Sequence, residues 1–312
     1  MSPMHQLFNA IAVICAIYLI SVVLKRKRIL QEEHSLTLAR IVTDVCLPAI
    51  VFSGLAGQRV TLRALEPSAL MLVLEISCII LAWSVTKLLG FDRRRQGAVV
   101  FCSAFGSSTF LGYSIITQMY PGNTAALGEA VLISEIGVGY PIFILGPVLA
   151  AYFSGKKSGA SASLGFFRSP VFFALLAGIL WGSLNLPGKE SILAPLFHLA
   201  DVLAGALTPL AILSVGLMFR KPSVRTIALP LAIAVAIKLV LKPLAASVIG
   251  NAMGFPDMWH DVVVILAGMP PAVLGAVYLR RYAGEASLAS AVLLSATIIS
   301  GLTLLGVFWL VG

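Results

Sequence analysis

Long apolar runs separated by short polar breaks dominate the chain. Ten follow one another: segment 1 at His5–Leu24, segment 2 at Leu36–Ala56, segment 3 at Ser68–Gly90, segment 4 at Gln96–Met119 and segment 5 at Leu127–Phe153. After a polar stretch come segment 6 at Ser169–Leu186, segment 7 at Ile192–Phe219, segment 8 at Ile227–Gly250, segment 9 at Trp259–Leu279 and segment 10 at Ala286–Val311. A helix of about 20 mainly apolar residues crosses the hydrocarbon core of a bilayer. The pattern therefore predicts an all-α polytopic membrane protein with ten transmembrane helices.

Charge between the segments supports that count. Odd-numbered loops hold Lys25–Arg28, Arg93–Arg95, Lys156, Lys157, Arg168, Arg220, Lys221, Arg225, Arg280 and Arg281. Even-numbered loops hold only Arg59, Arg63 and Lys189. Positive loops stay cytoplasmic, so both termini are expected on the outer, periplasmic side of the inner membrane. The N-terminus lacks a basic region and a small-residue cleavage site, and segment 1 is expected to remain as a span.

Ser154–Ser163 is polar and rich in Gly and Ser, the composition of a flexible linker. It divides the chain into residues 1–153, a cytoplasmic linker at 154–168, and residues 169–312. Each half holds five segments, and five is odd, so the second repeat enters the membrane inverted. The halves also match in sequence. Leu47–Ser53 resembles Thr208–Ser214, Ala130–Ser134 resembles Ala291–Ser295, Tyr120–Gly122 resembles Tyr282–Gly284, and Leu111-Gly112 resembles Leu274-Gly275. The offset stays near a constant ~160 residues, as an internal repeat requires. Inverted repeats are a mark of secondary transporters, with the site at the repeat interface.

Segment 9 contains Gly268-Met269-Pro270-Pro271-Ala272, followed by Gly275. Each proline deletes a helix hydrogen bond and clashes with the preceding turn, so the helix is expected to break. Freed backbone groups in lipid require protein or water partners. The repeat places the counterpart in segment 4, at Phe105-Gly106-Ser107-Ser108-Thr109-Phe110-Leu111-Gly112-Tyr113-Ser114. Gly106 and Gly112 weaken that helix, and its hydroxyl residues compete for backbone groups. Broken helices expose unpaired N–H groups at the positive end of the dipole, which suits a carboxylate. Ser107, Ser108, Thr109, Tyr113 and Ser114 of segment 4 and Met269, Pro270 and Pro271 of segment 9 are the candidate substrate-binding residues. The bland alternative is that the small residues allow close helix packing.

Ionisable residues inside apolar segments are functional candidates by default. Lys238 is central in segment 8 and is expected to meet a substrate anion or a carboxylate. Glu75, central in segment 3, is a candidate partner for Lys238. Glu135 in segment 5 is a candidate proton carrier, so Glu75, Glu135 and Lys238 form the candidate charge-coupling set. Lys242, nearer the membrane boundary, is expected to snorkel toward headgroups. Asp44 and Asp201 precede Pro48 and Pro209 and read as structural.

Composition narrows the function. The chain of 312 residues is 59% hydrophobic and 11% charged, with a mean hydropathy of +0.99. The net charge of +9 is accounted for by the cytoplasmic loops, and no basic soluble module points to nucleic acid. Cys15, Cys46, Cys78 and Cys102 lie in apolar segments and read as core residues. His5, His34, His198 and His260 are scattered, so no metal or other cofactor is expected. There is no HExxH, Ser/His, paired-Asp or P-loop arrangement, so the chain is not expected to be an enzyme or a primary pump.

Several of these residues together resemble the auxin efflux carrier family of membrane transporters, in its bacterial form. They are Leu47–Phe52, Phe110-Leu111-Gly112, Thr208–Leu217, Lys238-Leu239 with Pro243, and Met269-Pro270. The resemblance covers the whole chain. It implies ten helices in two inverted repeats, with helices 4 and 9 broken and crossing near mid-membrane. It also implies transport of organic anions: auxin in plant members, malate- or malonate-like dicarboxylates in some bacterial ones. Members often carry Asn where this chain has Ser107, which offers one donor in place of two.

The expected function is a secondary active transporter or uniporter for small mono- or dicarboxylates, using alternating access with or without a proton. The lipid bilayer and the carboxylate are its expected partners, and a homodimer fits such architectures. A sodium-coupled symporter or sodium/proton antiporter of similar fold is the alternative, and a non-transporting membrane sensor a further one.

Overall fold

The computed structural model describes residues 3–56, 61–155, 168–188, 191–217, 224–282 and 284–311. The Gly/Ser-rich linker lies largely outside them, as do Arg59, Lys156, Lys157, Lys189, Arg220 and Lys221. Among the described residues every regular element is a helix. Seven helices among the described residues are long and apolar enough to cross a membrane: Leu7–Arg26, Thr37–Ala56, Arg63–Leu88, Thr124–Ser154, Ala194–Ser214, Ile227–Ala252 and Ala286–Leu310. They correspond to segments 1, 2, 3, 5, 7, 8 and 10. Segment 6 forms the shorter helix Pro170–Ser183. Segments 4 and 9 are each divided, into Arg93–Ala104 and Ser108–Met119, and into Asp257–Ala267 and Val273–Arg281. Neither half of a divided segment has the length of a span, at about 1.5 Å per residue.

Local sequence explains several helix ends. Asp92 accepts hydrogen bonds from the Arg94 and Arg95 N–H groups and starts the first half of segment 4. Ser169 accepts from the Phe172 N–H, with Pro170 in the first turn of segment 6. Both are favoured helix starts, because the side-chain oxygen satisfies an N–H that has no partner in the helix. Among the described residues, four π-helical turns interrupt or adjoin the α-helices, at Val42–Cys46, Ser108–Gly112, Ile133–Gly139 and Val235–Leu241. Three of them carry an ionisable residue of the apolar segments: Asp44, Glu135 and Lys238. Such turns insert a residue into the helix and often mark functional positions.

The helices form two compact units, and each draws on both halves of the sequence. The first contains Met1–Leu65, Thr109–Val131 and Phe167–Phe219. Within it, segment 6 packs on segment 2, with Gly178 close to the Leu55 Cβ. Phe52, Trp181 and Phe197 bring segments 2, 6 and 7 into one aromatic cluster, with ring centroids 5.6 to 6.0 Å apart. Ser35 and Ser214 exchange hydroxyl-to-carbonyl hydrogen bonds of 2.9 and 2.8 Å. Lys25 donates to the Leu217 carbonyl at 2.6 Å, at the end of the segment 7 helix.

The second unit contains Glu66–Ser108, Leu132–Phe166 and Arg220–Gly312. Its core runs from Val99, Phe101 and Phe105 of segment 4 to Ile237 of segment 8 and Leu279, Ala289 and Val292 of segments 9 and 10. Segment 5 approaches segment 3 through Gly137. A Cβ there would lie 2.8 Å from the Met71 Cβ and 2.9 Å from the Ser68 carbonyl oxygen. The second contact is backbone and cannot rotate away.

Gly137→Ala is accordingly expected to destabilise the protein by about 1–3 kcal/mol, as overpacking does in a filled core. Gly188→Ala, where no atom lies within 4 Å of the added methyl, serves as the control. Thermal unfolding of the two purified variants in detergent measures the difference. Equal midpoints for both would overturn the packing argument.

Candidate functional site

In segment 9, Ala267 ends the first half-helix and Gly268 is its C-cap. An uninterrupted helix would pair the Leu266 carbonyl with the N–H of residue 270 and the Ala267 carbonyl with that of residue 271. Both positions are proline and have no N–H to give. The Met269 N–H takes over the Leu266 carbonyl at 3.3 Å. The Ala267 carbonyl receives the Lys238 ammonium instead, at 2.9 Å.

Segment 4 breaks in a comparable way without proline. Its first half ends at Ala104, and Phe105 turns to extended backbone. The Ala104 carbonyl, which the Ser108 N–H would cap in a continuous helix, receives the Lys242 ammonium at 3.3 Å. Lys242 also binds Glu75 Oε1 at 2.6 Å, with both side chains fully buried. Two lysines one turn apart on segment 8 thus hold the carbonyl ends of two half-helices. A cation at a helix C-terminus also meets the negative end of the helix dipole.

The two breaks are joined to each other. Gly106 and Pro271 form an isolated antiparallel bridge. The Ser107 N–H donates to the Pro270 carbonyl at 2.7 Å, and the Ala272 N–H donates to the Phe105 carbonyl at 2.9 Å. In this register the bridged pair itself donates nothing across the ladder. Pro271 therefore costs the bridge itself no hydrogen bond. Gly106 makes room for Lys238: a Cβ there would lie 2.7 Å from Lys238 Nζ and 3.1 Å from its Cε. A side chain at 106 would force the end of Lys238 to shift from its place at the break.

The structure distributes the residues singled out in the sequence as follows. Gly106, Ser107, Ser108, Lys238, Gly268, Met269, Pro270 and Pro271 lie in the second unit, in or beside the joined breaks. Ser107 and Met269 are buried, and the Ser108 hydroxyl is buried without a partner. Thr109, Gly112, Tyr113 and Ser114 belong to the first unit. The Ser114 hydroxyl is bonded to the Phe110 carbonyl at 2.8 Å, so its proton is held by its own helix. Gly112 and Gly275 lie inside helices, past the interruptions. Gly275 serves packing there, with Phe101 3.0 Å from its missing Cβ.

Two expectations about charge need correction. The partner of Glu75 is Lys242, not Lys238, because the carbonyl freed by Pro271 captures the Lys238 ammonium. Lys242 does not snorkel; it is 1% exposed, since Glu75 and Ala104 offer it stronger partners inside the protein. Glu135 is buried in the second unit, its carboxylate folded against Gly139 of its own helix.

Some polar groups were not prominent in the sequence. Ser103, just before the segment 4 break, has a buried hydroxyl without a partner, as has Glu75 at Oε2. Glu129 of the first unit is 3% exposed, with Oε1 unpartnered. An acid within an apolar run was the available signal for Glu129. Around the breaks, the arrangement offers hydroxyl donors at Ser103 and Ser108 and two buried ammonium groups against one carboxylate. That is a surplus of hydrogen-bond donors, suited to an anion.

Comparison with known proteins agrees with this fold. The profile of a family described as membrane transport protein matches residues 6–152 and 155–308. A transporter of Methanothermobacter thermautotrophicus, itself uncharacterized, is 26% identical over 294 residues, covering 92% of each chain. The uncharacterized transporter YfdV of Escherichia coli K12 is 26% identical over 285 residues, covering 86% of this chain and 87% of its own. A Rhizobium meliloti protein described as a candidate malonate transporter is 27% identical over 219 residues, covering 68% of this chain and 66% of its own. With the family profile spanning nearly its whole length and apolar helices throughout, the chain belongs to the membrane transport protein family, the auxin efflux carrier group that its sequence resembles.

Proposed function

We propose that the protein moves small organic acid anions, mono- or dicarboxylates of the malate and malonate type, across the cytoplasmic membrane. The carrying observation is the pair of helix breaks bridged at Gly106 and Pro271, with buried ammonium groups on the carbonyl ends. Once the carbonyl ends are satisfied, the helix starts that follow the breaks are left with unpaired N–H groups. The second half of segment 9 starts at Val273, and such a start attracts a carboxylate. Ser107 and Ser108 add hydroxyl donors from segment 4. The Rhizobium meliloti relative supports a dicarboxylate as the first substrate to test.

The proposed architecture is ten membrane segments in two inverted repeats. The make-up of the units supports it: segments 1 and 2 share a unit with 6 and 7, and segment 3 with 8 and 10. Corresponding members of the two repeats thus fall together. Alternating access is the mode of transport that accompanies inverted repeats. Sodium coupling is less well supported than uniport or proton coupling. The backbone carbonyls at Ala104 and Ala267 that would suit a cation already hold lysine ammonium groups.

Flux into proteoliposomes containing only this protein tests the reading. Radiolabelled malonate or malate is expected to accumulate under an imposed proton or voltage gradient. No flux for a broad panel of carboxylates would overturn it. Ser107→Ala and Pro270→Ala are each expected to lower flux at least tenfold, about 1.4 kcal/mol of lost stabilisation, with little loss of folded protein. Full activity in both would remove the bridged breaks as the site.

Charge deletion tests the scaffold separately. Glu75→Gln strands the buried Lys242 ammonium and is expected to cost about 3–5 kcal/mol. Adding Lys242→Met is expected to recover part of that loss, because the unpaired charge is gone while the Ala104 carbonyl is left without its donor. Thermal unfolding of the single and double variants reads the difference. A double variant no more stable than Glu75→Gln would contradict the assigned pairing.

A further inference from the structure

The turn between segments 3 and 4 carries chemistry that neither transport nor the scaffold uses. The segment 3 helix ends at Leu88, Gly90 adopts a left-handed conformation with φ of 70°, and the next helix begins at Arg93. This tight turn sets Lys87 and the run Arg93-Arg94-Arg95 at one end of the second unit. Lys87, Arg93 and Arg94 are exposed and Arg95 is partly so. None of the four has a carboxylate partner among the described residues. The one nearby acid in sequence, Asp92, accepts the backbone N–H groups of Arg94 and Arg95 at 3.0 and 3.1 Å.

Three of the bases rest on rings instead. Arg93 lies over Tyr152 at 4.2 Å, Lys87 over Trp83 at 5.4 Å and Arg95 over Phe91 at 5.6 Å. A guanidinium stacked on a ring is held in place while its N–H edge stays free for a phosphate. Beside the bases, Leu88 and Leu89 are 87% and 50% exposed. Both cations and apolar side chains therefore face outward at the same turn. The first unit makes the opposite arrangement at its own basic loop. There Lys25 is engaged by the Leu217 carbonyl and by Glu32 at 3.8 Å.

We propose that this turn binds an anionic phospholipid. Arg93, Arg94, Arg95 and Lys87 hold the phosphodiester headgroup, and Leu88 and Leu89 lie among the acyl chains. A free phosphate would engage the bases but has no use for the exposed leucines, which is why a lipid is the occupant. Clusters of bases beside a membrane helix attract anionic lipids in this way. The orientation read from the loop charges places the turn in the cytoplasmic leaflet, where such lipids concentrate. The proposal needs only the membrane location and is independent of the transported substrate.

The test uses the full-length protein purified in detergent, with lipid retention read by native mass spectrometry and stability by thermal unfolding. Phosphatidylglycerol is expected to be retained and to raise the unfolding midpoint; phosphatidylcholine and inorganic phosphate are expected to do neither. In R93Q/R94Q/R95Q, retention should weaken on the order of a hundredfold, at about 1 kcal/mol per base. K27Q/R28Q, in the first unit's loop, should retain the lipid like the parent. Should the triple variant unfold through loss of the Tyr152 contact, K87Q/R94Q removes exposed side chains only and is expected to weaken retention about tenfold or more. Equal effects of phosphatidylcholine, an equal midpoint shift with inorganic phosphate, undiminished retention in the turn variants, or equal loss in K27Q/R28Q would each overturn the proposal.

Discussion

A helix cannot stop inside an apolar environment without finding partners for its last carbonyls. That constraint organises the second unit. Two half-helices end there, at Ala104 and Ala267, and both carbonyls are met by ammonium groups from a single helix. Much of the rest follows from this arrangement. Lys242 needs a counter-charge, and Glu75 supplies it from segment 3. Lys238 needs room, and Gly106 supplies it by having no side chain. The bridge between the breaks needs a register that tolerates Pro271, and the observed one does.

The same arrangement separates paired buried groups from unpaired ones. Ion pairing inside apolar surroundings is costly, because desolvation opposes the Coulombic gain. It persists here where backbone groups need it, which assigns Glu75 and Lys242 chiefly to holding the breaks open. Other buried polar groups are left without partners. In this unit they include the Ser103 and Ser108 hydroxyls and the second oxygen of Glu75. A membrane protein that buries such groups without partners carries a cost that a bound polar ligand or water relieves. Lys238, beside them, is spent on a carbonyl and not on a carboxylate.

Much of this was legible in the sequence because proline acts locally. Pro270 and Pro271 forbid two particular hydrogen bonds whatever surrounds them, so the segment 9 break could be read directly. The repeat then carried the reading to segment 4. What could not be read is which side chain reaches a freed carbonyl, since that depends on how helices distant in sequence lie together. Lys242 illustrates the limit: its position near a segment end matches a snorkelling lysine, and only the approach of Glu75 and Ala104 reverses that expectation. Segment 6 shows another. Its apolar run extends to Leu186, yet the helix ends at Ser183, because hydropathy continues through residues whose backbone has already turned. Arg93–Arg95 carried an orientation signal in the sequence, but the contact of Arg93 with Tyr152 joins positions far apart in the chain.

The two breaks differ in one chemical respect that bears on mechanism. Segment 9 lacks the N–H groups that would rebuild its helix, so no rearrangement of the backbone can close that gap. Segment 4 keeps every N–H through Phe105, Gly106, Ser107 and Ser108. Its Ala104 carbonyl is held by Lys242 at 3.3 Å, longer than the 2.9 Å bond from Lys238 to Ala267. Closing segment 4 into a continuous helix would exchange the Lys242 bond for one from the Ser108 N–H and would withdraw the Ser107 N–H from Pro270. The chemistry therefore makes segment 9 the fixed half of the bridge and segment 4 the half able to change. Of the two bridged breaks, the one without proline is the one whose helix the backbone could re-form.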